Sequence, residues 1–140
     1  MEANEELEKI TPSLRAHPSV LEVRWQIYAN LGKWEPALDV ASAIVKMVPD
    51  WPSGWTYQAS SLKELNRPQQ AYEVLSGAVA KFPSDEIILY DIACVCCTLK
   101  RPEEAREWLA KAIEAGGNEI RKRALDDPDL EPLRKGAGLP

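Results

Sequence analysis

A period of 34 residues runs through the middle of this chain and constrains its fold more than any other feature. Alanines mark the period, and a leucine stands six residues before each of them. The alanines are Ala37, Ala71 and Ala105, and the leucines are Leu31, Leu65 and Leu99. Prolines keep the same spacing, at Pro18 and Pro52 and again at Pro49 and Pro83. Because a fixed period of this length is typical of stacked supersecondary units, we predict a repeat protein.

The residues between these marks predict that each unit is a pair of α-helices. Apolar side chains recur at the three- and four-residue spacing of a helix, and no segment alternates convincingly as a strand would. Proline is harmless in the first turn of a helix, so Pro68 and Pro102 indicate helix starts. His17 directly precedes Pro18, and we interpret it as a structural residue at a helix start. The predicted pairs are 18–31 with 34–47, 52–65 with 68–81, and 86–99 with 102–115.

The columns of these units resemble those of the tetratricopeptide repeat (TPR) family. The second unit matches at Trp55, Gln58, Ala59, Leu62, Ala71, Leu75, Ala78 and Pro83. The third unit has Gly117 where the family has proline. The first has Trp25 in a column that is usually Gly or Ala, and we expect its indole to fill a gap against the N-terminal segment. The resemblance covers residues 18–117 and implies an all-α, right-handed superhelical α-solenoid of three TPR helix pairs.

The organisation that follows is a single TPR domain over residues 1–140. The end units of a stack leave one apolar side uncovered, so capping helices are expected at both ends. Apolar residues suited to this role are Leu7, Ile10 and Leu14 at the N-terminus, and Leu130 and Leu133 at the C-terminus. The predicted segments are an N-terminal cap (1–17), repeat 1 (18–51), repeat 2 (52–85), repeat 3 (86–117), and a C-terminal cap and tail (118–140).

Charge and composition argue against two classes of partner. The formal net charge of −5 opposes the phosphate attraction behind most nucleic-acid binding. No apolar run approaches the roughly 20 residues that cross a bilayer, so no membrane partner is expected. Residues 1–6 lack the basic start and apolar stretch of a secretory signal, which favours a cytoplasmic location. Residues 124–133 are similar to tails that follow such repeats in bacterial proteins, which suggests a bacterial source.

The residues offer little for catalysis, which needs a nucleophile, a base and a stabilising group brought together. His17 is the only histidine, and the seven glycines form no phosphate-binding loop. Asp127, Asp129 and Glu131 are interpreted as helix-capping residues rather than a calcium loop, because Pro128 interrupts them. We therefore predict no enzymatic activity, no cofactor and no metal.

The three cysteines leave one alternative to this interpretation. Cys94, Cys96 and Cys97 lie within four positions, and Cys94 and Cys97 are three apart, so those two share a helix face. Packing as small apolar side chains is favoured, because a structural zinc site needs four ligands and no fourth is near. A redox role for Cys94 and Cys97, or a metal site shared with other residues, stays open.

The resemblance implies a binding surface as well as a fold. In TPR proteins the first helices of the pairs line a concave groove that holds an extended peptide or a partner helix. The groove columns of this sequence include Glu22, Gln26, Asn30, Thr56, Ser60, Lys63, Tyr90, Cys94 and Cys97. This surface would change from polar to apolar along the chain, with a hydrophobic anchor for the partner near Tyr90.

We therefore predict a protein–protein interaction module that binds a peptide segment or partner helix in this groove. One alternative is a dedicated chaperone for a secreted or assembling client protein, and another is a thiol-dependent redox enzyme using Cys94 and Cys97. TPR domains that bind chaperone tails hold the terminal carboxylate with Lys, Asn and Arg. The matching positions here are Glu22, Gln26, Tyr57, Ile87 and Asp91, which disfavours that ligand. The sequence does not determine whether the chain self-associates.

Overall fold

The computed structural model describes residues 17–135 and 139–140, and in those residues it contains α-helices and one 3-10 turn but no strands. The α-helices are α1 (Pro18–Asn30), α2 (Trp34–Met47), α3 (Pro52–Glu64), α4 (Pro68–Lys81), α5 (Glu86–Thr98), α6 (Pro102–Asp126) and α7 (Glu131–Lys135). The 3-10 turn, η1, spans Pro128–Leu130. The all-α class is confirmed. The predicted N-terminal cap, with Leu7, Ile10 and Leu14, lies outside the described residues.

Short-range signals place the helix starts where the sequence predicts them. Proline occupies the first turn of α1, α3, α4 and α6, where a missing N–H breaks no helical hydrogen bond. His17 caps α1, since its Nδ1 accepts a hydrogen bond from the backbone N–H of Ser19 at 3.1 Å. Asp85 caps α5 by accepting from the N–H groups of Ile87 and Ile88, both at 3.0 Å. These contacts satisfy donors that no helical carbonyl can reach.

The first helix of each pair ends at a residue in the left-handed region. These residues are Gly32 (φ 70°), Asn66 (φ 61°) and Lys100 (φ 61°), which keep the 34-residue period. The turn at Lys100 is closed by the N–H of Arg101, which donates to the carbonyl of Cys96 at 2.8 Å. This is the hydrogen-bond pattern that ends a helix at a left-handed residue. The repeat therefore exists in the backbone conformation as well as in the side chains.

Contacts divide the chain into two compact units, which meet in sequence between Asn66 and Arg67. In unit 1, α1 packs on α2 and α2 packs on α3. Its core is formed by buried side chains of α1 and α2: Leu21, Trp25, Ala37, Val40, Ala41 and Ile44. The expectation that residues 1–140 form one domain stays a prediction.

In unit 2, α4 packs on α5, and α5 packs on α6. Nine consecutive or near-consecutive residues of α5 are buried, from Ile88 to Cys97 with Asp91 half-buried among them. A helix with apolar residues on every side needs cover on every side. The predicted helix 102–115 continues as α6 to Asp126, but its backbone breaks at Gly117 (φ 66°, ψ −146°). Gly117 is the residue that replaces the proline of the other units.

Gly54 allows the close approach of α3 to α2 in unit 1. A Cβ built on Gly54 would lie 2.9 Å from Cγ2 of Ile44 and 3.3 Å from the backbone nitrogen of Val45. Ile44 is fully buried, so it has little room to move away. The small residue is therefore a packing requirement at this position.

We expect Gly54→Ala to lower the free energy of unfolding by about 1–3 kcal/mol, because the added methyl overpacks the α2–α3 contact. Gly77→Ala is the matched control, because Gly77 is exposed within α4. There the same change should raise stability by about 0.5–1 kcal/mol, since alanine loses less backbone entropy in a helix. Urea unfolding followed by circular dichroism measures both, and equal effects of the two substitutions would contradict the packing requirement.

Candidate functional site

Six of the predicted groove residues form two polar stripes in unit 1. Glu22, Gln26 and Asn30 recur every four residues along α1, and Thr56, Ser60 and Lys63 follow the same face of α3. Gln26 and Asn30 are exposed, and the other four are half-buried. We call these six residues the unit 1 face. Amide, hydroxyl and charged groups are thus present on it together, and each can exchange hydrogen bonds with a ligand.

An aromatic pair beneath the unit 1 face holds α1 to α3. The Trp25 and Tyr57 rings stack with centroids 4.2 Å apart and planes 17° apart. The buried indole N–H of Trp25 donates to Oγ of Ser61 at 3.0 Å, and that hydroxyl donates to the carbonyl of Tyr57 at 2.9 Å. Trp25 is 7% exposed, so its one polar atom is buried and paired.

The aromatic pair is also hydrogen-bonded to a charged residue of the unit 1 face, Glu22. The Tyr57 hydroxyl donates to Oε2 of Glu22 at 3.0 Å. Burial, together with this carboxylate, raises the pKa of Tyr57 above its ordinary value. Tyr57 therefore stays a neutral donor, and Glu22 is held in one place on the face.

Sequence reasoning assigned Trp25 to a gap against the N-terminal segment, which lies outside the described residues. The structure places its indole against α3. Tyr57 and Ser61 were not predicted to position the face, although their four-residue spacing puts them on one side of α3. The only sequence signal of this packing contact is the tryptophan at position 25, in a column that usually holds a small residue.

The three remaining groove residues, in unit 2, are covered. Tyr90, Cys94 and Cys97 are 1%, 5% and 7% exposed. Tyr90 donates its hydroxyl to Oδ2 of Asp127 at 2.5 Å, and the Arg123 guanidinium lies 4.4 Å from the centre of its ring. The hydrophobic anchor expected near Tyr90 is therefore closed off by the chain's own C-terminal residues. The position of a residue in the repeat predicts which side of a helix it lies on. It does not predict whether a later segment of the chain covers that side.

All three thiols are buried, and the surroundings of Cys96 and Cys97 disfavour the thiolate. Cys94, Cys96 and Cys97 are thiols that form no disulfide, and all three are buried. Burial, with Glu104 beside it, raises the pKa of Cys96 to about 12, and burial also raises the pKa of Cys97. Since the thiolate is the reactive form, these positions lack the exposed, electropositive surroundings of redox-active cysteines. Core packing explains them, and the redox alternative gains no support.

Cys94 also lies near two carboxylates, Asp127 and Asp129, with one ligand atom of each within 4.8 Å of the others. The Asp127 carboxylate accepts hydrogen bonds from Tyr90 and from the N–H of Asp129, the latter at 2.9 Å. That second contact caps η1, as the sequence predicted for Asp127. Its oxygens thus already accept hydrogen bonds within the fold.

Comparison with known proteins identifies the repeat. Residues 62–125 match the protein family described as tetratricopeptide repeat. The chain has the tetratricopeptide repeat fold. Among solved structures, the first TPR of Spaghetti (RPAP3) bound to the HSP90 peptide SRMEEVD is similar, with a TM-score of 0.68 and 24% identity over 79% of this chain and 96% of that one. The resemblance predicted from the sequence is confirmed.

Two structures of MamA are also similar to this chain. One has a TM-score of 0.75 with 17% identity, covering 95% of this chain and 75% of that one. The other has a TM-score of 0.65 with 21% identity, covering 86% and 66%. No curated protein matches the sequence. Among the helices in residues 17–135, none combines the length and the hydropathy that a membrane-spanning segment needs.

Stability should fall at alkaline pH because of the buried thiols. A thiol whose pKa is raised by folding is stabilising below its unfolded pKa, near 8.5, and loses that contribution as pH rises toward its folded pKa. Between these two pKa values, each such thiol lowers the free energy of unfolding by roughly 1.4 kcal/mol per pH unit. We expect Cys96→Ala to lose about 2 kcal/mol less than the unchanged chain between pH 8 and pH 10.

Urea unfolding at several pH values measures this difference. The slope against pH is the readout, because removing the sulfur also leaves a small cavity that lowers stability equally at every pH. Tyrosines of the unfolded chain titrate only near pH 10, so the thiols dominate below that. Parallel pH profiles for the two proteins would contradict a raised pKa for Cys96.

Proposed function

We propose that this TPR chain is a protein–protein interaction module that binds a peptide segment or a partner helix on the unit 1 face. The observation that carries the proposal is the exposure of Gln26 and Asn30 on α1, which the hydrogen bond from Tyr57 to Glu22 joins to the polar stripe of α3. The TPR of Spaghetti is bound to a peptide in its structure, which supports peptide binding as a use of this fold. Interaction modules rather than enzymes are the general pattern of the family.

The composition of the unit 1 face favours a polar, extended ligand. The amides of Gln26 and Asn30 each offer a donor and an acceptor, which matches the N–H and C=O of a peptide backbone. Glu22 and Lys63 add one charge of each sign, so neither a strongly acidic nor a strongly basic ligand is selected. An extended segment with few charges, hydrogen-bonded through its backbone, fits these groups.

The dedicated-chaperone alternative stays a prediction. A dedicated chaperone would hold one client protein soluble on the same surface, and co-purification with a single client would distinguish it. The cytoplasmic location, the bacterial source and the absence of nucleic-acid binding rest on the sequence alone. The thiol-dependent enzyme is disfavoured, because the Cys96 and Cys97 thiols are buried and hard to ionise.

We expect no measurable binding of the SRMEEVD peptide below about 100 μM. The positions that the family uses to hold a terminal carboxylate include Glu22 and Asp91 here, and like charges repel the peptide's own acids. Fluorescence anisotropy with the labelled peptide measures this. Tight binding that disappears when the peptide carboxylate is amidated would contradict this exclusion.

The binding surface itself is tested by site-specific crosslinking. A photo-reactive amino acid placed at Gln26 or Asn30 should capture a partner from cell extract, because both side chains are exposed on the unit 1 face. The same amino acid at Glu107 is the control, since Glu107 is exposed on α6 in unit 2. Mass spectrometry identifies the captured protein. Capture of the same proteins from Glu107 as from Gln26 would count against the face.

Once a partner is captured, the proposal is tested by comparing its affinity for the unchanged chain with its affinity for a variant whose unit 1 face is blocked. Ser60→Arg places a bulky charge among the polar stripes and should weaken binding about tenfold or more, a loss of roughly 1.4 kcal/mol. Glu107→Arg is the matched control and should leave the affinity unchanged. Circular dichroism confirms that both variants remain helical. An unaltered affinity for Ser60→Arg would place the binding surface elsewhere.

A further inference from the structure

The C-terminal residues Asp127–Lys135, which we call the latch, cover the side of α5 that carries Tyr90, Cys94 and Cys97. η1 contacts α5, and α7 contacts α6. Leu130 and Leu133 are fully buried, whereas Pro128, Glu131, Pro132 and Lys135 are exposed. The latch therefore attaches through two leucines and a small set of polar contacts.

Polar contacts fix both ends of the latch. At its start, Asp127 accepts from the Tyr90 hydroxyl, and its carboxylate lies 4.0 Å from the Cys94 sulfur. Near its end, Nη1 of Arg134 donates to the carbonyls of Ala124 and Asp127, at 2.8 Å and 2.7 Å. Nη2 of Arg106 reaches the carbonyl of Leu133 at 3.5 Å. All of these contacts lie within unit 2.

The latch has little structure of its own to keep it in place. η1 has three residues and α7 has five, and helices this short do not form without a surface to pack on. Pro128 and Pro132 have no N–H to donate. Detaching residues 127–135 leaves the backbone hydrogen bonds of α4, α5 and α6 intact, whereas exposing Cys96 requires α5 itself to separate from the helices that pack against it. Segments with these properties open at lower free energy than the unit around them.

We propose that the latch is a displaceable internal ligand, which opens as a unit and uncovers Tyr90, Cys94 and Cys97 as a second binding surface. Its contacts define the chemistry of the ligand that would replace it. That ligand is a peptide segment with a carboxylate to accept from Tyr90 and leucines three and six positions later, as in Asp127, Leu130 and Leu133. The opening does not depend on the proposed function of the unit 1 face and is testable without a partner.

The cysteines report on opening at two different places. Cys94 and Cys97 lie under the latch, with Asp127 and Asp129 among the charges that act on Cys97. Cys96 faces elsewhere, next to Glu104 of α6, which also accepts from the hydroxyl of Tyr72 on α4. Labelling of Cys94 thus requires only that the latch leave, while labelling of Cys96 requires separation of the helices.

The test compares two full-length variants that keep one thiol each, with the other two cysteines replaced by alanine. Maleimide labelling at pH 8, normalised to the rate in denaturing urea, gives the open fraction at each site. We expect Cys94 to label about tenfold faster than Cys96 in buffer and its rate to depend only weakly on added urea, as for local opening. Equal normalised rates and equal urea dependence would overturn the latch, because both thiols would then be exposed by global unfolding.

A pair of substitutions locates the opening at Asp127. Asp127→Asn weakens the acceptor for the Tyr90 hydroxyl and should speed Cys94 labelling about tenfold while leaving Cys96 unchanged. Asp126→Asn is the matched control, because Asp126 is an exposed neighbour with the same charge. Faster labelling of both thiols, or of neither, in Asp127→Asn would contradict the assignment of Asp127 as the contact that holds the latch closed.

The ligand chemistry is tested with an acetylated peptide of residues 126–135 added in trans. The recipient is Leu130→Ala/Leu133→Ala in the background that keeps Cys94, where the internal segment binds poorly and the thiol labels fast. The peptide should slow that labelling several-fold, and a scrambled peptide of the same composition should not. If the double variant loses helicity, Asp127→Asn serves as the recipient. Equal labelling with both peptides would overturn the second binding surface.

Discussion

The packing of small residues at the helix crossings is the constraint on which the rest of this structure depends. Ala37, Ala71 and Ala105 are fully buried, and they lie at equivalent places in the second helices of the three pairs. Because alanine carries only a methyl group, α1 and α2 can approach closely at Ala37 and α5 and α6 can approach closely at Ala105, and dispersion contacts are dense there. Gly54 serves the same purpose between α2 and α3. Within each unit, small residues therefore lie where helices pack closely.

Local chemistry in the sequence predicts where the helices of the three pairs begin and where the first helix of each pair ends. Proline marks the first turn of α1, α3, α4 and α6, and a side-chain acceptor caps α1 and α5. The left-handed residues at positions 32, 66 and 100 end the first helix of each pair. Only one of these three residues is glycine. Asn66 and Lys100 adopt this conformation because the turn is closed by backbone hydrogen bonds, so a rule based on glycine alone finds one end in three.

Long-range packing accounts for what the sequence did not predict. The stacking of Trp25 on Tyr57 joins residues from two repeats, and neither column predicts the other. The burial of Tyr90 depends on a segment 37 positions further along the chain. A periodic pattern specifies the side of a helix that faces inward in a generic repeat. It carries no information on the irregular segment that follows the last repeat, and in this chain that segment decides whether the α5 side is open.

The two units differ in the polarity of the helix sides that carry the predicted groove residues. In unit 1 the α1 and α3 stripes are polar, so water can satisfy them when no ligand is present. In unit 2 the equivalent side of α5 carries a tyrosine and two thiols, for which exposure to water is unfavourable. Asp127 positions the segment that covers these side chains. It ends α6, and its carboxylate caps η1 and accepts a hydrogen bond from Tyr90. A single residue thus sets the register of the latch on α5. The leucines that follow are placed by that register, and for this reason the polar contact and the apolar cover form or are lost together.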